Sequence, residues 1–335
     1  MVSAPTASKT YCNCLALERG LSPIGHAGDF QDALVVETPL PWKPDFYTSE
    51  AVWPKQMRDL LALWLERWKA GDGYPHHMLA IAPDTEYSKP ELRRVMHYTR
   101  QSGAISGFDK IEYHLPSSDV GALAWAIYED RACLSHFETY RVPNGDQTRE
   151  ILVCTHGSVD TACSKFGYPL YLHARRKYAN DGLRVWRVSH FGGHVFAPTL
   201  IDMPTGHYWA FVEAPQAQAI LTRTGDVVSL RKHYRGWAGI KSGFMQAAEA
   251  EIWQRTGWEW FAYYKSAEML AHEASTDEPT WAEVKISARH PQDDQITTYF
   301  VRVEISGYLE TPTSTNKATT YKYPQYHVTK LEELS

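Results

Sequence analysis

ILVCTHGSVDTACSKFGYPLYLHARRKYANDGLRVWRVSHFGGHVFAPTLID, residues 151–202, changes its hydrophobic period several times, and those changes set the fold of the middle of the chain. Ile151-Leu152-Val153 is a short apolar run with strand character, and turn-forming residues carry the chain on to Cys163. From about Ser164 to Tyr178 the pattern predicts a helix, ended by Asn180-Asp181-Gly182. Leu183 to Val188 and Pro198 to Asp202 read as strands, as does His207 to Val212 just beyond the quoted stretch. After Pro215 a short helix is expected up to Arg223, with Gly225 closing it. This order of strand, loop, helix, strand, loop, two strands and helix defines one unit, residues 149–230.

Working towards the N-terminus, Pro143-Asn144-Gly145-Asp146 is a polar break, and residues 31–148 precede it as a unit of their own. In that unit Ala33 to Glu37 reads as a buried strand. Trp53, Met57, Leu60, Leu61, Trp64, Leu65 and Trp68 recur at helical spacing until Gly71-Asp72-Gly73. His77 to Ala82 is expected as a strand, Pro90 to about Arg100 as a helix, Ile111 to His114 as a strand, and Ser118 to about Cys133 as a helix capped by Ser118. That alternation predicts an α/β layer with a mostly parallel sheet, preceded by a loose arm over residues 1–30. Towards the C-terminus, over residues 231–335, Ser242-Gly243 opens a helix faced by Phe244, Ala247, Ala248 and Ile252. Trp281 to Ile286 and Thr297 to Ile305 alternate with period two around the turn Pro291-Gln292-Asp293-Asp294, which predicts a hairpin. A polar loop, Thr311 to Thr320, and a short last strand near Tyr326 to Val328 follow. The expected class is α/β, or α+β overall, and the 149–230 unit resembles a thioredoxin-like fold.

Bulk properties limit the function. The 335 residues are 44% hydrophobic, enough for a sizeable core or two, and the net charge of -5 offers no basic field for nucleic acid. Nowhere do 18 or so apolar residues run together, and the first residues lack a charged stretch followed by an apolar one, so a soluble cytoplasmic protein is expected. Five cysteines are too few and too scattered for a secreted disulfide scaffold. In a reducing compartment, paired cysteines are more often metal ligands or redox centres.

Two such pairs stand out, Cys154 with Cys163 and His190 with His194, each in a loop just after an expected strand. Thiolate and imidazole suit zinc, copper and iron-sulfur centres, and four of them complete either one tetrahedral zinc site or one 2Fe-2S cluster. A zinc knuckle usually sets its cysteines two to four residues apart; here eight residues intervene, a loop better suited to wrapping a cluster. Gly192-Gly193 interrupts any helix between the histidines and lets main chain approach closely, where its amides can tune a cluster. A Cys-x-x-Cys pair at a helix N-terminus, which a thiol oxidoreductase on this fold needs, is absent from the sequence.

CTHGSVDTACSKFG (154–167), SHFGGHVFAPTLIDMPTGHYWA (189–210), HYRGWAG (233–239) and MQAAEAE (245–251) resemble the sucrase/ferredoxin-like family, with a weaker likeness in YCNCLALERGLSPIG (11–25). The resemblance spans roughly residues 11–250 and implies a thioredoxin-like ferredoxin domain with a 2Fe-2S cluster on Cys154, Cys163, His190 and His194. It therefore implies an electron carrier or redox sensor, given electrons by a flavoprotein or thiol reductase. The word sucrase implies no glycosidase, and no carboxylate pair here points to one. Were each iron to carry one residue type, the potential would fall as pH rises through the histidine pKa. His156, Lys165, Gly192, Gly193 and Arg235 are the expected neighbours of the cluster. A structural zinc site on the same four residues is the alternative, and a thiol oxidoreductase a further one. Cys12 and Cys14 read as surface or structural thiols of the arm, and Cys133 as a buried inert thiol.

Overall fold

A computed structural model describes residues 10–72, 76–274, 278–293 and 295–334. The first element is helix α1 (Cys12–Glu18), followed by strand β1 (Asp32–Glu37), helix α2 (Lys55–Lys69), and strands β2 (His76–Ile81), β3 (Leu92–Thr99) and β4 (Asp109–Pro116). Helix α3 (Val120–Tyr128) precedes a 3-10 segment, Arg131–Tyr140. Then come β5 (Arg149–Cys154), α4 (Thr161–Tyr178), β6 (Leu183–Val188), β7 (Leu200–Met203), β8 (His207–Trp209), α5 (Ala214–Thr222), β9 (Tyr234–Trp237) and α6 (Gly243–Thr256). Four strands end the chain: β10 (Tyr264–His272), β11 (Trp281–Arg289), β12 (Ile296–Pro312) and β13 (Thr320–Leu334).

Among the described residues the architecture is mixed α/β with two sheets. Nine strands in the order β4-β3-β1-β2-β6-β5-β7-β8-β9 form the first, and β10-β11-β12-β13 form the second. Within the first sheet β1 with β2 and β5 with β6 are parallel; the remaining pairs are antiparallel. The two halves of this sheet meet where Ile81 of β2 pairs with Val188 of β6. Met57, Leu60 and Trp64 put one face of α2 into a core shared with α3 and with β1, β2, β3 and β4. Helix α6 is buried almost all round because it lies between β9 and the second sheet. Its Trp253 packs with Trp209 and Tyr234, and each such side chain contributes roughly 1.5–3 kcal/mol by leaving water.

A buried ion network ties the two halves of the first sheet. Lys110 Nζ of β4 lies 2.5 Å from Glu150 Oε1 of β5, and Arg184 of β6 reaches both Glu150 and Glu112 of β4. Arg94 of β3 bonds Glu112, and Trp186 Nε1 donates to Glu150 Oε2 at 2.7 Å. Such pairs cost desolvation, and removing one partner would strand a buried charge.

Several expectations fail here. Residues Pro90 to Arg100 hold strand β3, not a helix. Its Leu, Arg and Met favour helix locally, but both edges of the segment are taken up by β1 and β4. The sheet of the N-terminal unit is correspondingly mostly antiparallel. The helix expected to run from Ser118 to Cys133 starts at Val120 and stops at Tyr128, and Ser118 Oγ donates to Asp119 rather than capping it. The arm, expected to be loose, carries the packed helix α1 over Cys12–Glu18, with Cys12, Asn13 and Ala16 buried. Strand β8 ends early, at Trp209, ahead of Phe211 at φ 50°. The last strand is fifteen residues long and paired to β12 over most of its length. Gly73 and Asp294, expected at turns, lie outside the described residues. Among the described residues, no helix is long and apolar enough to cross a membrane.

Candidate metal centre

Strands β5 and β6 are parallel neighbours, and their carboxyl ends deliver Cys154 and, two residues past Val188, His190. The edge of a sheet beyond such ends is where α/β folds place ligands. Residues 155–160 loop back, and α4 begins with Asp160 as its cap: Asp160 Oδ1 accepts from Ala162 N at 2.8 Å. Cys163 thus sits in the first helical turn, where the helix dipole favours a thiolate. The helix can lie against the strand because position 167 is glycine; a Cβ there would come within 2.0 Å of the Cys154 carbonyl oxygen.

Cys154 Sγ and Cys163 Sγ each lie 3.7 Å from His190 Nδ1, and the three ligand atoms are all within 4.8 Å of one another. The other nitrogen of His190, Nε2, is 3.4 Å from His194 Nδ1, with the two rings 5.1 Å apart. The four sequence-selected residues are therefore contiguous, with His190 between the sulfurs and His194. Both sulfurs are buried, while His190 and His194 are half-buried. Burial opposes ionisation of Cys154, but hydrogen bonds with Cys163 and His190 outweigh it and pull that thiol well below its ordinary pKa. Its bond to Cys154, then burial, push Cys163 the other way. One thiolate is thus favoured in the metal-free pair, and the set of two soft sulfurs with two imidazoles fits a zinc ion or an iron-sulfur cluster.

The expected neighbours divide. His156 is buried, and its Nδ1 accepts from the His190 amide at 3.2 Å; Trp42 and Phe46 pack edge-on against its ring. Burial lowers its pKa. Gly193 stands at φ 74°, and a Cβ there would run into the Arg235 guanidinium. Arg235 is buried, with its pKa brought down to about 10 by burial, and it donates to the carbonyls of Gly192 at 3.3 Å and His26 at 2.6 Å. A fixed positive charge therefore lies beneath the histidine loop. Lys165 is exposed on α4 and lines a surface depression with Pro169 and His173.

Sequence reasoning missed other participants. Asp160 could have been found as a helix cap; its second oxygen, Oδ2, accepts from Ser314 Oγ at 2.8 Å and Thr315 N at 2.7 Å, and lies 3.9 Å from His194 Nε2. His194 Nε2 donates to the Thr313 carbonyl. Cys12, read as an arm thiol, is buried 3.7 Å from the His194 carbonyl oxygen, and burial raises its pKa. No local signal marks Thr313 or Cys12 as neighbours of His194. Cys14 is exposed; Cys133 is half-exposed on the 3-10 segment rather than buried, with its Sγ 3.2 Å from Asp130. All five cysteines are free.

A family model described as Suc_Fer-like, sucrase/ferredoxin-like, matches residues 23–236. That span contains the four ligand candidates, His156 and Arg235, and stops before α6. No curated protein and no solved structure matches the chain.

Proposed function

The chain belongs to the sucrase/ferredoxin-like family, and from that premise we propose that it is a redox protein carrying one 2Fe-2S cluster on Cys154, Cys163, His190 and His194. The observation that carries this reading is the convergence of both sulfurs on His190, which in turn abuts His194. Supporting it, β5, α4, β6, β7, β8 and α5 follow in the order expected of a thioredoxin-like ferredoxin domain, with β6-β5-β7-β8 adjacent in the sheet. When bound, such a cluster supplies one-electron transfer.

The residues around it do the remaining work. Cys154 and Cys163 hold the buried side, at the end of β5 and the start of α4. His190 and His194 hold the side nearer solvent, so electrons from a reductase of the flavoprotein or thiol class would enter and leave there. The His156 ring orients His190 through its amide, and Arg235 keeps positive charge under the loop, which favours the reduced state of the site. Five free thiols suit a reducing, cytoplasmic setting.

Iron, zinc and acid-labile sulfide content of anaerobically purified protein, with visible and reduced-state EPR spectra, tests the proposal. About two irons and two sulfides per chain, lost in His190→Ala, are expected. One zinc without sulfide or colour would replace the cluster by a structural ion held by the same donors.

A further inference from the structure

The C-terminal hairpin lies wholly outside the family match, yet its tip reaches the candidate metal centre. Strand β11 pairs with β12 only as far as Glu304, and residues 307–312 go on with β13 alone as their partner. This projecting arm leans on the N-terminal segment: Arg19 Nη1 donates to the Glu310 carbonyl at 2.5 Å, and Ser22 N to Gln325 Oε1 at 2.9 Å. Tyr323 packs edge-on against Phe196, two residues after His194. At the tip, the Thr313 carbonyl accepts from His194 Nε2. Ser314 and Thr315 bind Asp160, three residues before Cys163, and Thr315 Oγ1 donates to Cys12 Sγ at 3.3 Å.

We infer that this arm is a positioning element of the metal centre, with the Thr313 carbonyl fixing the His194 tautomer and the Asp160 clasp holding the carbonyl in place; the inference rests on the metal reading of the site. A neutral imidazole carries one N–H. With that proton on Nε2 and directed at Thr313, the lone pair is on Nδ1, the nitrogen that faces His190. A partner of this kind on the outer nitrogen fixes ring orientation and raises ligand basicity, and its loss commonly costs 10–100-fold in metal affinity. The clasp also couples the two loops, since Asp160 caps the helix that carries Cys163 while its other oxygen holds the segment bound to His194. The chain closes its site with a piece 119 residues away from the ligand it orients.

Two measurements on the full chain test this. In metal-free protein, long-range proton–nitrogen NMR on labelled histidine, assigned with His194→Gln, should show His194 protonated at Nε2; protonation at Nδ1 would overturn the inference. In metal-loaded protein, the double variant Ser314→Ala, Thr315→Val and the single variant Asp160→Asn should release metal to a chelator about tenfold faster or more, with an altered histidine-nitrogen coupling in pulsed EPR. Should Asp160→Asn fail to fold because its cap is weakened, the double variant leaves that cap intact. Release and coupling at wild-type values in a folded variant sink the arm's role. A wild-type chain that binds no metal sinks the metal reading instead, and the tautomer measurement still decides the arm.

Discussion

The sulfur side and the histidine side of the site are built in opposite ways. Cys154 and Cys163 belong to one strand–loop–helix unit, nine positions apart, and their placement follows from β5 pairing with β6 and α4 folding back across Gly167. His190 and His194 sit on a loop whose shape is imposed from elsewhere. Arg235 supports it from below, His156 grips its amide, and Thr313 and Cys12 hold His194 from the two ends of the chain. A locally built half is stiff wherever its own unit folds. A half assembled from distant segments is only as fixed as their packing, and that is the half where tuning and loss of metal are expected to begin.

The sharpest break of this contrast is Cys163→Ala, which on the proposed reading should abolish metal retention altogether because it removes a proposed ligand from the stiff half; full metal content by elemental analysis would show that the sulfurs do not hold it. Next in size, Arg184→Ala leaves Glu112 and Glu150 buried without one of their cations, and a loss of about 3–5 kcal/mol in urea unfolding is expected. Burial opposes ionisation of Glu112, but His114, 3.4 Å away, and the bonds from Arg184 hold its pKa below the free carboxylate value of 4.5. Its contribution is therefore complete above that value and lost as pH falls below it, so Glu112→Gln should flatten the acid limb of a stability–pH curve. Gly167→Ala forces α4 away from the Cys154 carbonyl and should cost about 1–3 kcal/mol, with weaker metal binding. Smallest of all, Lys165→Gln on the exposed face of α4 should change stability by no more than about 0.5 kcal/mol and leave the spectrum unmoved; a shifted potential would return Lys165 to the site.

Much of the site could be read directly from residue types. Cys154, Cys163, His190 and His194 are legible as two soft-ligand pairs after strands, whereas Arg235 is reached only through the family resemblance; the structure puts His156 and Arg235 against the histidine loop. Lys165 stands beside the site in the chain, but a helical neighbour of Cys163 need not share its face, and this one is exposed. Cys12 reads as a surface or structural thiol, and the structure makes it a buried one; that it lies beside the site is not legible because Thr315 and the His194 carbonyl come from the far end of the sequence and from another unit. In the N-terminal region the amphipathic period of α2 was legible from Met57, Leu60 and Trp64. Strand β3 was not, since RRVMHY carries helix-favouring residues and its strand state depends on partners at both edges.

By itself, then, the amino-acid sequence determined what local physics can determine: the helices α2, α4 and α6, the strands β5 and β6, and the choice of two thiols and two imidazoles for one place in the chain. Only the tertiary structure decided that β2 and β6 join two half-sheets, that Glu112, Glu150 and Arg184 meet inside, and that a C-terminal arm reaches His194. The reason is range. Periodicity, caps and turn residues act over a few positions, whereas a hydrogen bond between residues 119 positions apart leaves no pattern in either segment until the chain has brought them together.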